Sequence, residues 1–200
     1  MGFKHTGLFP EQAVNWDWMK NKIANEKREI KVLNLFAYTG GATVACLSSG
    51  ASVCHVDSSK GMTTWAKENV LSSKLQDKKV RYIVDDVIKF VNREIRRGNT
   101  YDAIIMDPPS YGRGTNGEVW QFEESIFDLV KLCMKVLSEN PLFFLINSYT
   151  TGISAKVLEN ILNLNFRGKF KGQVTSGEIG IPMKKSNLVL PCGIFGRWEK

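Results

Sequence analysis

Four short stretches of this 200-residue chain place chemically able residues directly after apolar runs. "NLFAYTGGAT" leads into Gly40 and Gly41, "CHVDSS" ends on Asp57 and Ser58, "IVDDV" supplies Asp85 and Asp86, and "IIMDPPSYG" supplies Asp107. Glycines where a strand turns into a helix let the backbone approach a ligand, and the helix start offers free N–H groups to its polar atoms. The plain alternative is a tight turn and nothing more. Asp57 follows Gly40 by seventeen positions. At that place nucleoside-binding α/β folds carry a carboxylate that accepts from two ribose hydroxyls. An acid at Asp85 or Asp86 can accept from an adenine amino group or cap the next helix, and both can hold. In Asp107-Pro108-Pro109 the tandem prolines lack N–H donors and hold the residue before each of them extended. That gives a stiff turn with fixed carbonyls at the carboxyl end of a strand, where α/β sheets bind ligands.

Placing these four stretches together requires a parallel sheet. Strand-like and helix-like segments alternate along the chain. Strands are expected over 30–37, 51–57, 80–86, 101–107 and 141–148, and helices over 11–27, 40–50, 58–74, 87–98, 123–140 and 154–164. Two further strands, 170–178 and 186–193, have only a loop between them. Strand–helix repeats imply parallel strands with right-handed crossovers, whereas a terminal hairpin makes the last strand antiparallel. The expectation is one α/β domain over residues 1–200: a three-layer, Rossmann-like, seven-stranded sheet, mostly parallel with a C-terminal antiparallel hairpin. The segment from Pro108 to Trp120 reads as a loop over the site, a candidate substrate lid with Arg113 for a phosphate or a base.

A formal charge of +7 favours a polyanionic partner such as nucleic acid. In "FRGKFKG" Arg167, Lys169 and Lys171 alternate with other residues, so a strand there would put three cations on one face. No apolar stretch is long enough to cross a bilayer and no signal-peptide pattern opens the chain, making a cytoplasmic location the default. Gly2 with Thr6 matches a myristoylation pattern that arises often by chance. Cys46, Cys54, Cys133 and Cys192 form no C-x-x-C pair, and His5 and His55 are the only histidines, so no metal site and no disulfide framework is expected.

Nicotinamide binding requires G-x-G-x-x-G for its pyrophosphate, and "YTGGAT" lacks that spacing. A cofactor without phosphates fits better, and S-adenosyl-L-methionine is one. The order "HTGLFPEQ", "NLFAYTGGAT", "VDSSKGMTTWAKEN", "VDDVIKFV", "YDAIIMDPPSY" resembles the ribosomal-RNA large-subunit methyltransferases, a family that includes cytosine-C5 and guanine-N7 enzymes. Its members usually carry further residues ahead of this catalytic domain, so the chain is similar to a version without them. The resemblance implies an adenosylmethionine cofactor, a ribosomal RNA partner and a set of roles. Gln12 reaches the cofactor, and Gly40 with the backbone around Tyr38 and Thr39 lines its methionine part. Asp57, with Ser58 beside it, holds the ribose, and Asp86 the adenine. Asp107 takes the cofactor amino group or the target base.

Cytosine-C5 transfer needs a cysteine nucleophile. The stretch after the fifth strand, "LINSYTTG", offers Ser148 and Tyr149 but no cysteine, and Cys192 is expected to end the last strand at the opposite edge of the sheet. A nitrogen acceptor is therefore preferred. Asp107, the Pro108 carbonyl and a stacking Tyr111 are its candidate catalytic groups, with Lys184 and Lys185 available for phosphates. A small-molecule or protein acceptor, and an RNA-binding module without turnover, are the competing readings. "GIFGRWE" presents Phe195 and Trp198 as exposed-looking aromatics.

Overall fold

The computed structural model describes residues 7–113 and 119–200. Gly2, His5 and Thr6 lie outside the described residues, so the myristoylation pattern has no structural counterpart here. A 3-10 turn, Pro10–Gln12, opens into α1 (Ala13–Ala24). Then follow β1 (Lys31–Leu35), α2 (Gly41–Ser48), β2 (Ser52–Asp57), α3 (Lys60–Ser72), β3 (Val80–Val84), α4 (Val87–Arg97) and β4 (Ala103–Met106). The short strands β5 (Tyr111–Arg113) and β6 (Val119–Gln121) precede α5 (Phe122–Cys133), β7 (Phe143–Ser148), α6 (Ala155–Phe166), β8 (Gln173–Pro182) and β9 (Val189–Glu199).

The seven long strands form one sheet in the order β3-β2-β1-β4-β7-β9-β8. The first five are parallel, and β9 runs antiparallel to both β7 and β8. Alternation along each strand divides the core into two layers. Leu33, Leu35, Ile104, Met106, Phe144 and Ile146 face α4, α5 and α6. Val32, Ala103, Ile105, Phe143 and Leu145 face α1 and α2. Local signals set the helix ends: the Asp86 carboxylate accepts from Lys89 N at 2.9 Å to start α4, and Gly98 at φ 68° stops it.

Four expectations change. The segment after Pro109 is not wholly loop, because Tyr111–Gln121 and Arg113–Val119 pair as a small antiparallel ladder. "FRGKFKG" is not a strand: α6 continues through Phe166, Gly168 turns at φ 78°, and β8 begins only at Gln173. Arg167, Lys169 and Lys171 therefore share no strand face. Trp198 is 2% exposed and stacks on Phe166, with ring centroids 4.5 Å apart, and Phe195 is half-buried. Finally, β9 continues seven residues past Cys192, to Glu199. Cys192 is near the start of an antiparallel strand, at the carboxyl ends of the parallel ones, and not at the opposite edge.

Candidate functional site

The turn after β1 alternates into left-handed conformation at Phe36 (φ 52°), Tyr38 (φ 49°) and Gly40 (φ 84°). Two of these are not glycine, and each costs on the order of 1 kcal/mol or more, so the turn must be held from outside. Asp57 provides the hold. Its Oδ2 accepts from Tyr38 N at 2.8 Å and its Oδ1 from Ser59 N at 2.8 Å. Each oxygen keeps a lone pair free for a ligand. Burial pushes this carboxyl upward, and the two backbone donors oppose the shift. Thr39 is tied down on both sides: its hydroxyl donates to Gly7 O at 2.5 Å, and Asn69 Nδ2 donates to Thr39 O at 2.8 Å. At Gly40 a Cβ would stand 3.0 Å from the Ala66 Cβ, so α3 closes behind the turn.

Asp107 follows β4 and is partly buried. Burial first, and then the charge of Glu11, push its carboxyl up to about 7. Tyr149 stands nearby, its hydroxyl accepting from Gln12 Nε2 at 2.8 Å. The Phe9 ring lies 5.7 Å from both the Tyr38 and the Tyr149 rings. Phe9, Tyr38, Asp57, Ser58, Asp107, Pro108 and Tyr149 enclose a cavity of about 350 Å³. Gln12, Tyr38, Thr39, Asp107 and Asn147 line an adjoining recess.

The other expected residues are not on the lining of this cavity. Gly40 is behind the turn, with its Cβ position facing Ala66 and the His55 ring. Asp86 caps α4 at the end of β3, and Asp85 is engaged by Arg93. Ser148 is buried, and its Oγ accepts from Thr150 N at 3.1 Å. Tyr111 is 52% exposed on β5 and its hydroxyl accepts from Arg113 Nε, so neither residue lines the cavity. Lys184 and Lys185 are exposed in the turn between β8 and β9, at the carboxyl ends of the parallel strands. Cys192 shares a shallow pocket with Ser148, Tyr149 and Thr150. Cys46 and Cys54 are buried, and burial pushes their thiols up to about 12 and about 11.

Phe9 and Glu11 were not anticipated from the sequence, and Trp120 was read only as part of the candidate lid. Trp120 packs on Phe36 with centroids 5.3 Å apart. The available signal was aromatic residues flanking a motif on both sides, and such residues are more often core than site. Asn15 gave a clearer one: it stands in register with Met19 and Ile23 on the buried stripe of α1, where a polar residue must find partners.

Among the described residues no lysine or arginine lines the cavity, while two carboxylates do. That composition suits a phosphate-free, cationic nucleoside and opposes a pyrophosphate. The Tyr38 hydroxyl, buried and without a protein partner, is a polar atom left for a ligand. The residues present therefore fit adenosylmethionine. Among the described residues, no group of histidines, cysteines and acids is arranged to hold a metal, and no helix is long and apolar enough to cross a membrane.

Comparison with known proteins agrees. Over 142 residues, 70% of this chain, it is 30% identical to the ribosomal RNA large subunit methyltransferase K/L of Shewanella sp. (strain MR-4). Over 82 residues it is 42% identical to the ribosomal RNA large subunit methyltransferase I of Cronobacter sakazakii (strain ATCC BAA-894). The chain spans only 19% and 21% of those relatives. A crystal structure of a SAM-dependent methyltransferase from Agrobacterium tumefaciens superimposes with a TM-score of 0.94 at 41% identity, covering 100% of this chain and 65% of that one. The profile of the family described as S-adenosylmethionine-dependent methyltransferase matches residues 2–155. With a cation-accepting nucleoside cavity at the strand ends and that match across most of its length, this chain belongs to the S-adenosylmethionine-dependent methyltransferases.

Proposed function

We propose that the chain methylates a nitrogen of a base in RNA, with ribosomal RNA as the substrate class. The observation that carries this reading is the cavity itself, lined by Asp57 and Asp107 together with Phe9, Tyr38 and Tyr149. The net charge of +7 and the two ribosomal RNA methyltransferase relatives support a polyanionic substrate.

Adenosylmethionine supplies a methyl group on a sulfonium sulfur. In this proposal the free lone pairs of Asp57, with Ser58 beside it, hold the ribose hydroxyls, and Asp86 accepts from the adenine amino group while it caps α4. Gln12, Tyr38, Thr39 and the Gly40 turn surround the methionine end. Asp107 and the Pro108 carbonyl accept from the base or from the cofactor ammonium, aligning the attacking nitrogen with the methyl carbon. Lys184, Lys185 and Arg113 bind phosphates outside the cavity, and Ser148 and Tyr149 line the acceptor side. The Asp107 and Asp57 carboxylates favour cation binding, and the Phe9, Tyr38 and Tyr149 rings supply apolar surface beside them.

Incubation with labelled adenosylmethionine and deproteinised ribosomal RNA, followed by digestion to nucleosides, tests the proposal. A labelled purine or cytosine nitrogen that disappears in Asp57→Ala supports it, and an RNA left unlabelled while cofactor binds refutes it. Transfer to carbon 5 of cytosine is a second reading, favoured by one observation: Cys192 lies at the acceptor edge beside Ser148 and Thr150. Labelled 5-methylcytosine that vanishes in Cys192→Ser would establish that reading in place of the first.

A further inference from the structure

A second cavity lies at the other end of the sheet. Asn163, Phe166, Arg167, Phe170, Lys171 and Trp198 line a recess of about 480 Å³ where α6 turns into β8. β8 opens there with Gln173 paired to Glu199, and Glu199 pairs in turn with Phe143, the first residue of β7. The recess is thus at the amino ends of the parallel strands. The six residues of β7, about 20 Å, separate it from the turn that carries Tyr149.

Its walls are fixed by the chain itself. Lys169 N and Phe170 N donate to Phe166 O at 3.0 and 3.2 Å, closing the turn through Gly168. The Phe170 ring stands 6.0 Å from the Phe166 ring and 5.9 Å from that of Trp198, both of which are buried. Phe170 is only half-buried, so this aromatic cluster shows one ring to the recess. At Gly172 a Cβ would stand 2.8 Å from the Trp198 ring, and the chain therefore passes close against β9 before β8 begins.

Charge sets this turn apart. Residues 160–172 hold three cations, Arg167, Lys169 and Lys171, and no acid. All three are exposed, and among the described residues none of their side chains pairs with a carboxylate. The flanking acids are engaged elsewhere: Glu159 by Lys156 and Ser176, and Glu199 by Lys22 and Gln173. A helix end accounts for one cation here, because the carboxyl end of α6 carries only about half a negative charge. Three exceed that need.

We infer that this recess is a second RNA contact, in which one base lies against Phe170 with the Asn163 amide at its edge, and Arg167, Lys169 and Lys171 take the phosphates on either side. A free phosphate or an acidic peptide would satisfy the cations and leave the ring idle, whereas a nucleotide uses both. The inference rests on the proposed function for the identity of the polyanion, and not on which atom is methylated. A contact this far from the nucleoside cavity gives a long RNA a second hold that a short target oligonucleotide lacks.

The test uses the full chain and deproteinised ribosomal RNA. In filter binding, Arg167→Ala combined with Lys171→Ala should weaken binding and lower the slope of log K against log salt by about 1.5, as expected for two phosphate contacts. Phe170→Leu should weaken binding about tenfold with the slope kept, the worth of one base stack. Lys27→Ala combined with Lys78→Ala removes the same charge from exposed positions elsewhere and should leave affinity and slope nearly as they were. Bound RNA should shield Lys169 and Lys171, but not Lys27, from acylation. S-adenosylhomocysteine affinity should hold in every variant. Should Phe170→Leu fail to fold, the variant of the exposed Arg167 and Lys171 still decides. An equal loss in the Lys27 and Lys78 control, or Lys169 and Lys171 still reactive under bound RNA, would mean a general charge effect and overturn the inference. A parent chain that methylates RNA while the recess variants bind it normally would overturn the inference and leave the proposed function standing. RNA that shields Lys169 and Lys171 yet is never methylated would do the reverse.

Discussion

Trp120 Nε1 donates to the carbonyl oxygen of Pro109 at 2.6 Å, which fastens the β5–β6 hairpin onto the proline turn after β4. The second proline carbonyl is thus engaged within the chain, and Pro108 is the proline left to offer an oxygen to a ligand. Trp120→Phe keeps the ring contact with Phe36 and removes the N–H. Denaturant unfolding should show a loss of about 1 kcal/mol. Calorimetry should show S-adenosylhomocysteine binding within twofold of the parent, because Trp120 is not on the wall of the nucleoside cavity. A comparable fall in cofactor affinity would show that the hairpin belongs to the cofactor side.

Asp57→Asn leaves one side-chain oxygen for two backbone donors, Tyr38 N and Ser59 N, and turns an NH2 against one of them. Stability should fall by roughly 1–3 kcal/mol, the cost of an unsatisfied buried donor. S-adenosylhomocysteine and 5′-methylthioadenosine should both weaken by about tenfold or more, since both carry the ribose. Retention of either affinity within twofold would remove Asp57 from the ribose.

Asp107 gives a pH signature of definite sign. Its folded value of about 7 lies above its usual 3.8, so between these limits the folded chain holds a proton that the unfolded chain has released. Stability therefore falls as pH rises through this window and levels off above it. Asp107→Asn should be more stable than the parent at pH 8 and show little gain near pH 4, as read from denaturation midpoints. Adenosylmethionine is a cation, so its affinity for the parent should climb as pH passes about 7, and the climb should be absent in the variant. A parent whose stability rises across the same window would contradict the assignment.

Lys184 and Lys185 are exposed in the β8–β9 turn, and Met183 N donates to Leu188 O at 3.0 Å across it. If both lysines bind phosphates, replacing them with alanine should weaken RNA binding uniformly across sequences. It should also reduce the steepness of log K against log salt by about 1–2. Filter binding at several salt concentrations measures this, and an unchanged slope would place the RNA elsewhere.

The parallel part of the fold was legible because each strand carries its own punctuation. Gly40, Asp57, Asp86 and Asp107 all follow apolar runs, and the structure brings the ends of β1, β2, β3 and β4 side by side. The end of the chain read less well. β9 was cut short at Gly193 because "CGIFGRWE" mixes glycines and charges with its apolar residues. The glycines there mark close packing: a Cβ on Gly196 would meet the Leu158 Cβ at 2.8 Å, and one on Gly193 the Ser148 carbonyl at 2.8 Å. That mistake in length reversed the place of Cys192 and with it one argument about the target atom. The hydrogen bonds from Asn15 to Gln12 and from Gln12 to Tyr149 were illegible for a different reason. Gln12 and Tyr149 are 137 positions apart, and only the assembled sheet makes them neighbours.

β9 comes after β7 and β8 in the chain, yet it is paired on both sides, between them. A chain halted before β9 has the Gly40 turn, Asp57 and Asp107, but it lacks the Arg197 guanidinium that donates to Asn15. β8 has no other neighbour in the sheet. A chain truncated before β9 should be cleaved by proteases more readily than the 200-residue chain, because β7 and β8 both present unpaired edges without β9.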